Sequence, residues 1–175
     1  QLAGIRGRPV TAIDNPAVVV FAADHGVTAQ GVSAYPPEVT AQMVANFAAG
    51  GAAINVLARM AGARLVVVDI GVAGDAAPAG EPSGDGPVAA GGAGGPGARL
   101  VRARVASGTR DMTITSAMTR DEALAAIDVG RRVVLELVAG GLDLLAVGEM
   151  GIGNTTAASA IVAALTGRPP AEVTG

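Results

Sequence analysis

The chain has 175 residues and a net charge of −3; half of its residues are apolar, 2% are aromatic, and it contains one histidine and no cysteine. This length and apolar content suffice for one domain with a hydrophobic core. The composition excludes disulfides and thiolate metal sites, argues against a zinc centre, and offers no broad basic face, so we expect neither a metal nor a nucleic-acid partner.

The first half of the chain alternates between apolar strands and helices. After an irregular start, the patterns predict a strand at Val18–Ala23, a helix from about Glu38 to Ala48, a second helix at Ala52–Met60 and a strand at Leu65–Ile70. In the first helix, Val39, Met43 and Phe47 recur along one face and are predicted to point inward.

A low-complexity stretch follows at residues 71–97, which is rich in Gly, Ala, Pro and Ser. Such a composition buries too little apolar surface to offset the entropy of ordering, so we expect a mobile loop inserted into a single α/β domain that spans 1–175. Beyond it, Leu100–Val105 alternates apolar residues with arginine, as an edge strand with one solvated face does.

A capping box then marks the start of a long helix. Thr119 and Glu122 have the spacing at which each side chain bonds the backbone amide of the other. The helix is predicted to run to Ala139 and to turn Ile127, Val134 and Val138 inward.

The last predicted unit, Leu142–Leu165, has the order strand, glycine-rich turn, helix. Leu142–Val147 is an apolar run typical of a strand that is buried on both faces. Gly148–Gly153 forms the turn and contains Glu149. Asn154 is a favourable N-cap residue and opens an alanine-rich segment of high helix propensity.

This turn is a candidate phosphate-binding site. The first turn of a helix leaves backbone amides without partners, the helix dipole adds positive charge there, and glycines let an anion approach. The candidate residues are Gly151, Ile152, Gly153, Asn154, Thr155 and Thr156. A plain connection tightened by glycines remains an equal alternative.

Acidic residues occur at or just beyond the ends of the three apolar strands. Asp24, Asp69 and Glu149 would share one edge if the sheet is parallel, and that edge is where α/β sheets bind ligands. Each has a structural alternative: Asp24 could cap a turn, and Asp69 could accept hydrogen bonds within its strand. His25 is a possible general base but could also be held only by a hydrogen bond. Because a carboxylate repels phosphate, Glu149 should meet the sugar, a base N–H or a water.

The sequence also suggests where the protein works and that it continues. No apolar run of about 18 residues and no signal-peptide pattern occur, so we expect a cytoplasmic protein without a membrane partner. The chain begins at Gln1 and stops just after a helix, where a parallel sheet should continue with another strand. We therefore expect an excerpt of a longer protein.

Two runs resemble one known family. DHGVTAQGVSAYPPEVTAQMVANF, at 24–47, and GEMGIGNTTAA, at 148–158, with VVVDIGV between them, are similar to nicotinate-nucleotide–dimethylbenzimidazole phosphoribosyltransferases of cobalamin assembly. The resemblance implies a Rossmann-like, doubly wound parallel sheet, incomplete in this chain, and a homodimer. It also implies transfer of phosphoribosyl from nicotinate mononucleotide to 5,6-dimethylbenzimidazole, giving α-ribazole 5′-phosphate and nicotinate, without a cofactor.

The resemblance assigns roles to individual residues. The turn from Gly151 to Thr156 corresponds to the phosphate-binding segment, and Glu149 to a supporting acidic residue beside the nucleotide and the base. The residues that correspond to the base pocket are Asp24, Tyr35, Met43 and Met150. The family's general-base glutamate and a lysine near the phosphate lie toward the C-terminus, in a region that this chain lacks. The chain contains no lysine at all, since its twelve basic residues are all arginine. A segment resembling KPPGSLG is also missing.

Two further functions remain open. The chain could be a catalytically incomplete module that binds a nucleotide or benzimidazole without turnover. It could also be a structural subunit-interaction fragment, in which the glycine turn has no ligand.

Overall fold

The computed structural model describes residues 1–7, 9, 12–74 and 97–174. The strands are β1 (Pro16–Ala23), β2 (Arg64–Gly71), β3 (Arg99–Arg102) and β4 (Leu144–Met150). The α-helices are α1 (Leu2–Arg6), α2 (Glu38–Ala49), α3 (Ala53–Met60), α4 (Arg120–Ala139) and α5 (Asn154–Thr166). Short 3-10 helices occupy Gly26–Gln30 and Pro170–Glu172. Most of the predicted insertion at 71–97 lies outside the described residues.

The strands form one parallel sheet in the order β3–β2–β1–β4. In the centre, Val19 of β1 lies opposite Val66 of β2 and Val147 of β4. The predicted parallel arrangement is confirmed. Because all strands run the same way, their carboxyl ends meet at one end of the sheet, and the loops that follow β1, β2 and β4 meet there too.

Apolar cores cover both faces of the sheet. On one face, Val20 and Val67 are buried with Val44 and Phe47 of α2. On the other, Val19, Val66 and Val68 pack with side chains of α4. The predicted doubly wound α/β fold is therefore confirmed, with helices on each side of strands made largely of small β-branched residues.

The inward face of α2 is rotated from the predicted one. Phe47 is buried as expected, but Thr40 and Val44 are fully buried whereas Val39 and Met43 are only partly so. The predicted face was chosen from the spacing of apolar residues, so it did not include Thr40, which is polar. Its hydroxyl is satisfied in the interior by a backbone amide, and so the residue can be buried at little cost.

The prediction for α4 chose the wrong face. Ile127 and Val138 are 69% and 54% exposed, and Val134 is half-buried. The residues that pack on the sheet are Val129, Val133 and Leu137. Apolar residues occur on both sides of this helix, so spacing alone did not identify the side that meets the sheet. The capping box is confirmed: the Thr119 amide donates to Glu122 Oε2 at 2.5 Å, and the Glu122 amide to Thr119 Oγ1 at 3.1 Å.

The two outer strands also differ from prediction. β3 is an edge strand as expected but stops at Arg102. β4 starts and ends later than predicted and is not buried on both faces, since Leu144 and Val147 are 40% and 71% exposed. Among the described residues no strand lies beyond β4, so an apolar sequence suited to the middle of a sheet occupies its edge.

The segment Glu38–Met60 is long and apolar enough to meet a length and composition criterion for membrane spans. It is nevertheless two helices, separated by a break at Gly50–Gly51. Val44, Phe47 and Ala58 from these helices are buried in the core beside the sheet, as expected for core helices of a folded domain.

Candidate active site

The glycine-rich turn connects β4 to α5 at the carboxyl end of the sheet. Gly153 is the N-cap of α5 and has φ of 86°, a left-handed conformation that favours glycine. The prediction that Asn154 caps the helix was wrong by one residue: Asn154 is the first helical residue, and its amide donates to the Gly151 carbonyl at 3.1 Å. Its side chain is therefore not engaged as a cap.

The turn leaves two neighbouring amides without a protein acceptor. The Ile152 amide donates to Thr40 Oγ1 at 3.1 Å, so the protein itself occupies that donor. The amides of Thr155 and Thr156 have no acceptor among the residues that the structure describes. Thr155 is exposed and Thr156 half-buried. The first turn of α5 thus offers adjacent N–H donors at the positive end of the helix dipole.

The turn packs tightly on the loop that follows β1. A Cβ on Gly151 would collide with the carbonyl oxygen of Ala23 and with the Asn154 side chain. A Cβ on Gly153 would lie 3.0 Å from Thr28 Cγ2. The glycines are required for this close packing, and the loop after β1 therefore forms one wall of the candidate site.

His25 and Asn154 join the two loops by a side-chain contact. His25 Nε2 is hydrogen-bonded to Asn154 Oδ1, across 129 positions of sequence. The His25 carbonyl accepts bonds from the Thr28 amide and hydroxyl at 3.1 and 2.8 Å. His25 also forms a β-bridge with Thr109. Its ring is consequently held between β1 and the start of α5.

The residues predicted to line a base pocket are only partly brought together. Met43 of α2 and Met150 of β4 both pack against the core cluster on the α2 face of the sheet. Tyr35 is 67% exposed in the loop before α2. Asp24 is buried and is a wall residue of a separate cavity on the α4 face. The two methionines thus form the most coherent part of the predicted set.

Glu149 does not lie in the glycine turn, contrary to prediction. It is part of β4, lies opposite Phe21 of β1 and is exposed. Phe21 packs on the α4 face of the sheet and Met150 on the α2 face, so Glu149 projects on the side away from the two methionines. The turn itself is shorter than the sequence pattern suggested because β4 extends to Met150.

Asp24 and Asp69 are both buried and have different surroundings. Asp69 accepts the Val72 amide at 2.9 Å and pairs with Arg104 at 2.8 Å, as expected for the structural alternative. Asp24 Oδ2 accepts the Ala73 amide at 2.8 Å. Its Oδ1 is buried without a partner among the described residues.

A cavity of about 80 Å³ lies between the carboxyl ends of β1 and β2 and the first turns of α4. Its wall is mainly apolar and includes Asp24, Ile70, Met118 and Glu122. The Glu122 carboxylate accepts bonds from Arg110 at 2.8 and 3.3 Å, and this hydrogen bonding lowers the pKa of Glu122 to about 2. In the described ranges, no group of three or more His, Cys, Asp or Glu side chains is placed to hold a metal ion.

Comparison with known proteins identifies the family. The family model DBI_PRT, described as a phosphoribosyltransferase, matches residues 1–175. The chain belongs to the DBI_PRT phosphoribosyltransferase family.

The chain is also similar to individual proteins that carry the name of one enzyme. The chain is 51% identical to the nicotinate-nucleotide–dimethylbenzimidazole phosphoribosyltransferase of Roseiflexus castenholzii and 54% identical to that of Chloroflexus aggregans, each over all 175 residues. Each match covers 44% of the relative. The crystal structure of CobT from Thermus thermophilus is 46% identical with a TM-score of 0.81, covering 99% of this chain and 47% of that one.

The chain therefore spans about half the length of the DBI_PRT relatives that it matches. The structural match extends over nearly all of its residues, which supports the Rossmann-like assignment made from the resemblance. The other half of each longer relative has no counterpart among these 175 residues.

Sequence reasoning missed two residues that shape the site. Thr40 holds the Ile152 amide, and Thr28 packs against Gly153. Both lie in the run at 24–47 that carries the family resemblance, but the resemblance assigned neither of them a role, and each lies more than 100 positions from its partner. The one available signal for Thr40 was a polar residue beside the apolar face of α2.

Proposed function

We propose that the complete protein transfers the phosphoribosyl group of nicotinate mononucleotide to 5,6-dimethylbenzimidazole in cobalamin assembly. A benzimidazole nitrogen attacks C1′ of the ribose with inversion, and the bond from C1′ to the nicotinate nitrogen breaks. The electron pair of that bond returns to the pyridine ring, so nicotinate leaves. The attacking base loses its N–H proton, and the products are α-ribazole 5′-phosphate and nicotinate.

The observation that carries this proposal is the pair of unpartnered amides at the start of α5. The amides of Thr155 and Thr156 would seat the 5′-phosphate, with their hydroxyl groups and the backbone from Gly151 to Gly153 around it. Binding the phosphate at a rigid turn fixes the position of C1′, which lowers the entropic cost of bringing the two substrates together.

The remaining residues of the resemblance take supporting roles in this proposal. Met43 and Met150, which share one core cluster, would contact the flat base, with Tyr35 at the open side. Asp24 would act near the base from the end of β1. Glu149 would meet the sugar from the α4 face of the sheet, opposite the face that carries the two methionines. The proton is removed by a glutamate outside this chain, as the family resemblance implies.

The proposal includes the setting of the enzyme. It is a cytoplasmic homodimer that needs no cofactor, and residues 1–175 belong to a single α/β domain. Ile127, Leu135, Ile161 and Leu165 on α4 and α5 are each more than half exposed, and either a second copy or the remainder of the complete protein would cover them.

Product formation by the complete natural protein tests the reaction. Incubation with nicotinate mononucleotide and 5,6-dimethylbenzimidazole should give α-ribazole 5′-phosphate and nicotinate in equal amounts by chromatography. The 175-residue chain alone should bind the mononucleotide with little turnover, because it lacks the general base. Normal turnover by the chain alone would contradict the proposed location of that base. Absence of product from the complete protein would contradict the reaction.

The second candidate is a binding module without turnover, favoured by the same unpartnered amides. It predicts that nicotinate mononucleotide stabilises the complete protein against heat while no product appears. A purely structural role predicts no thermal shift with the mononucleotide.

A further inference from the structure

The hydrogen bond between His25 and Asn154 has a defined donor and acceptor. Asn154 Oδ1 can only accept, so the Nε2 atom of His25 must donate and carries the proton. The backbone of His25 is fixed by the β-bridge to Thr109 and by the bonds that Thr28 donates to its carbonyl. The imidazole is therefore a donor held in place by the end of β1.

Because His25 holds Asn154 Oδ1, the other end of the carboxamide, Nδ2, is the group that is left for a ligand. The side chain folds back over the turn, since a Cβ on Gly151 would lie 2.7 Å from Asn154 Oδ1. The two ends of a carboxamide point away from each other, so the Nδ2 group faces away from His25. Nδ2 has no acceptor among the described residues. A carboxamide that could rotate freely would present an oxygen to an anion half of the time, and that oxygen would repel it.

Resting on the proposed function, we propose that His25 is a positioning residue for the nucleotide phosphate. By holding Asn154 Oδ1, it leaves Nδ2 as the end of the side chain that can donate to an anion bound at the Thr155 and Thr156 amides. His25 does not touch the substrate and acts only through Asn154. This explains why the loop after β1 is tied to a helix start more than 100 residues later.

Substitution at His25 tests the idea on the complete natural protein by calorimetry. His25→Leu removes the donor and should weaken nicotinate mononucleotide binding about tenfold, the usual effect of one charge-assisted hydrogen bond. His25→Gln can place a donor near the position of Nε2 and should retain most of the affinity. Binding of nicotinate riboside, which lacks the phosphate, should be equal in the wild type and both variants.

A mutant cycle with Asn154 separates positioning from general damage. In an Asn154→Ala background, His25→Leu should cause no further loss of mononucleotide affinity. Asn154→Asp retains an acceptor for His25 but replaces the donor by a repelling charge, so it should lose at least as much affinity as His25→Leu while the protein stays folded. Equal losses for mononucleotide and riboside, or full additivity of His25→Leu with Asn154→Ala, would overturn the proposal.

The outcomes also separate this inference from the proposed function. If the wild type binds the mononucleotide and makes no α-ribazole 5′-phosphate, the reaction is wrong, but the His25 comparison still supports or overturns positioning. If the wild type binds neither the mononucleotide nor inorganic phosphate, both proposals are overturned. If His25→Leu fails to fold, His25→Gln and Asn154→Asp decide: loss of affinity in the Asp variant with retention in the Gln variant supports the inference.

Discussion

Thr40 Oγ1 accepts a hydrogen bond from the Ile152 amide at 3.1 Å, although the residues are 112 positions apart. Thr40 is fully buried in α2. Ile152 lies in the turn before α5, so this bond fixes the turn to the helix that covers the sheet. This bond therefore orders the backbone next to the Thr155 and Thr156 amides, which have no acceptor among the described residues.

Thr40→Val tests whether this bond shapes the site. The substitution keeps the branched shape but removes the acceptor, leaving the Ile152 amide unsatisfied at a cost of about 1–3 kcal/mol. We expect the free energy of unfolding to fall by that amount and nicotinate mononucleotide to bind more weakly, measured by urea denaturation and calorimetry. Thr40→Ser loses a buried methyl worth about 0.8 kcal/mol but keeps the acceptor, so it should retain affinity. Equal affinities for the two variants would contradict the role given to the hydroxyl.

Gly153→Ala should weaken ligand binding as well as strain the backbone. The left-handed conformation of Gly153, with φ of 86°, costs a residue with Cβ about 1–2 kcal/mol. The added methyl would also press on Thr28, whose hydroxyl is bonded to the His25 carbonyl. We expect lower stability and a loss of mononucleotide affinity by calorimetry.

Gly167→Ala is the matched control for that substitution. Gly167 caps the other end of α5 with φ of 68°, and a Cβ there meets nothing within 4 Å. It should lose a similar amount of stability and keep its affinity. If both alanine variants lose affinity equally, strain in α5 rather than the turn itself explains the effect.

Arg104→Met tests the structural role of Asp69. The Asp69 side chain is 4% exposed and Arg104 is 34% exposed. Removing the arginine leaves a buried carboxylate that keeps only the Val72 amide among the described residues. We expect this to cost about 1–3 kcal/mol, discounted because Arg104 is partly solvated. Arg102→Met, at the exposed last position of β3, removes the same charge and should cost less than about 0.5 kcal/mol. Neither variant should alter mononucleotide affinity; a large change in Arg104→Met would return Asp69 to the site.

The lowered pKa of Glu122 leads us to expect that the free energy of unfolding depends on pH in the acidic range. Hydrogen bonding from Arg110 lowers the pKa of Glu122 from 4.5 to about 2. A carboxyl group whose pKa is lower in the folded state stabilises the fold at pH values above its pKa in the unfolded chain. For Glu122, this stabilisation is lost as the pH falls from about 4.5 to 2. In urea denaturation, wild type should exceed Glu122→Gln in stability at pH 6, and the difference should shrink toward pH 2. A difference that is independent of pH would contradict the ionic origin.

Structural elements that are determined by neighbouring residues in the sequence were predicted well. The capping box at Thr119 and Glu122 formed as expected, and the helix near Glu38 began at that residue. The strand around Val18–Ala23 was placed nearly to its ends. In each case the interactions that determine the structure lie within a few residues, so a local pattern contains the necessary information.

Predictions that depended on packing fared worse. The side of α4 that meets the sheet could not be read from Ile127 or Val138, because this helix has apolar residues on both sides. β4 has the composition of an inner strand, yet it lies at an edge of the sheet that the described strands form. The assignments of Glu149, Tyr35 and the methionines to roles in the site stay predictions, and the bonds made by Thr40 and His25 depend on contacts that no sequence spacing announces.

The pairing of β1 with β4 also has a consequence for how the molecule is made. Pro16 lies opposite Leu144, so the central strand leaves the ribosome well over a hundred residues before its second neighbour. Such distant contacts form slowly, so we expect β1, β2 and β3 to associate before β4 joins them. Of the four described strands, β4 is therefore expected to be the last to join the sheet during synthesis, and the glycine turn before α5 can pack on the loop after β1 only once β4 has docked.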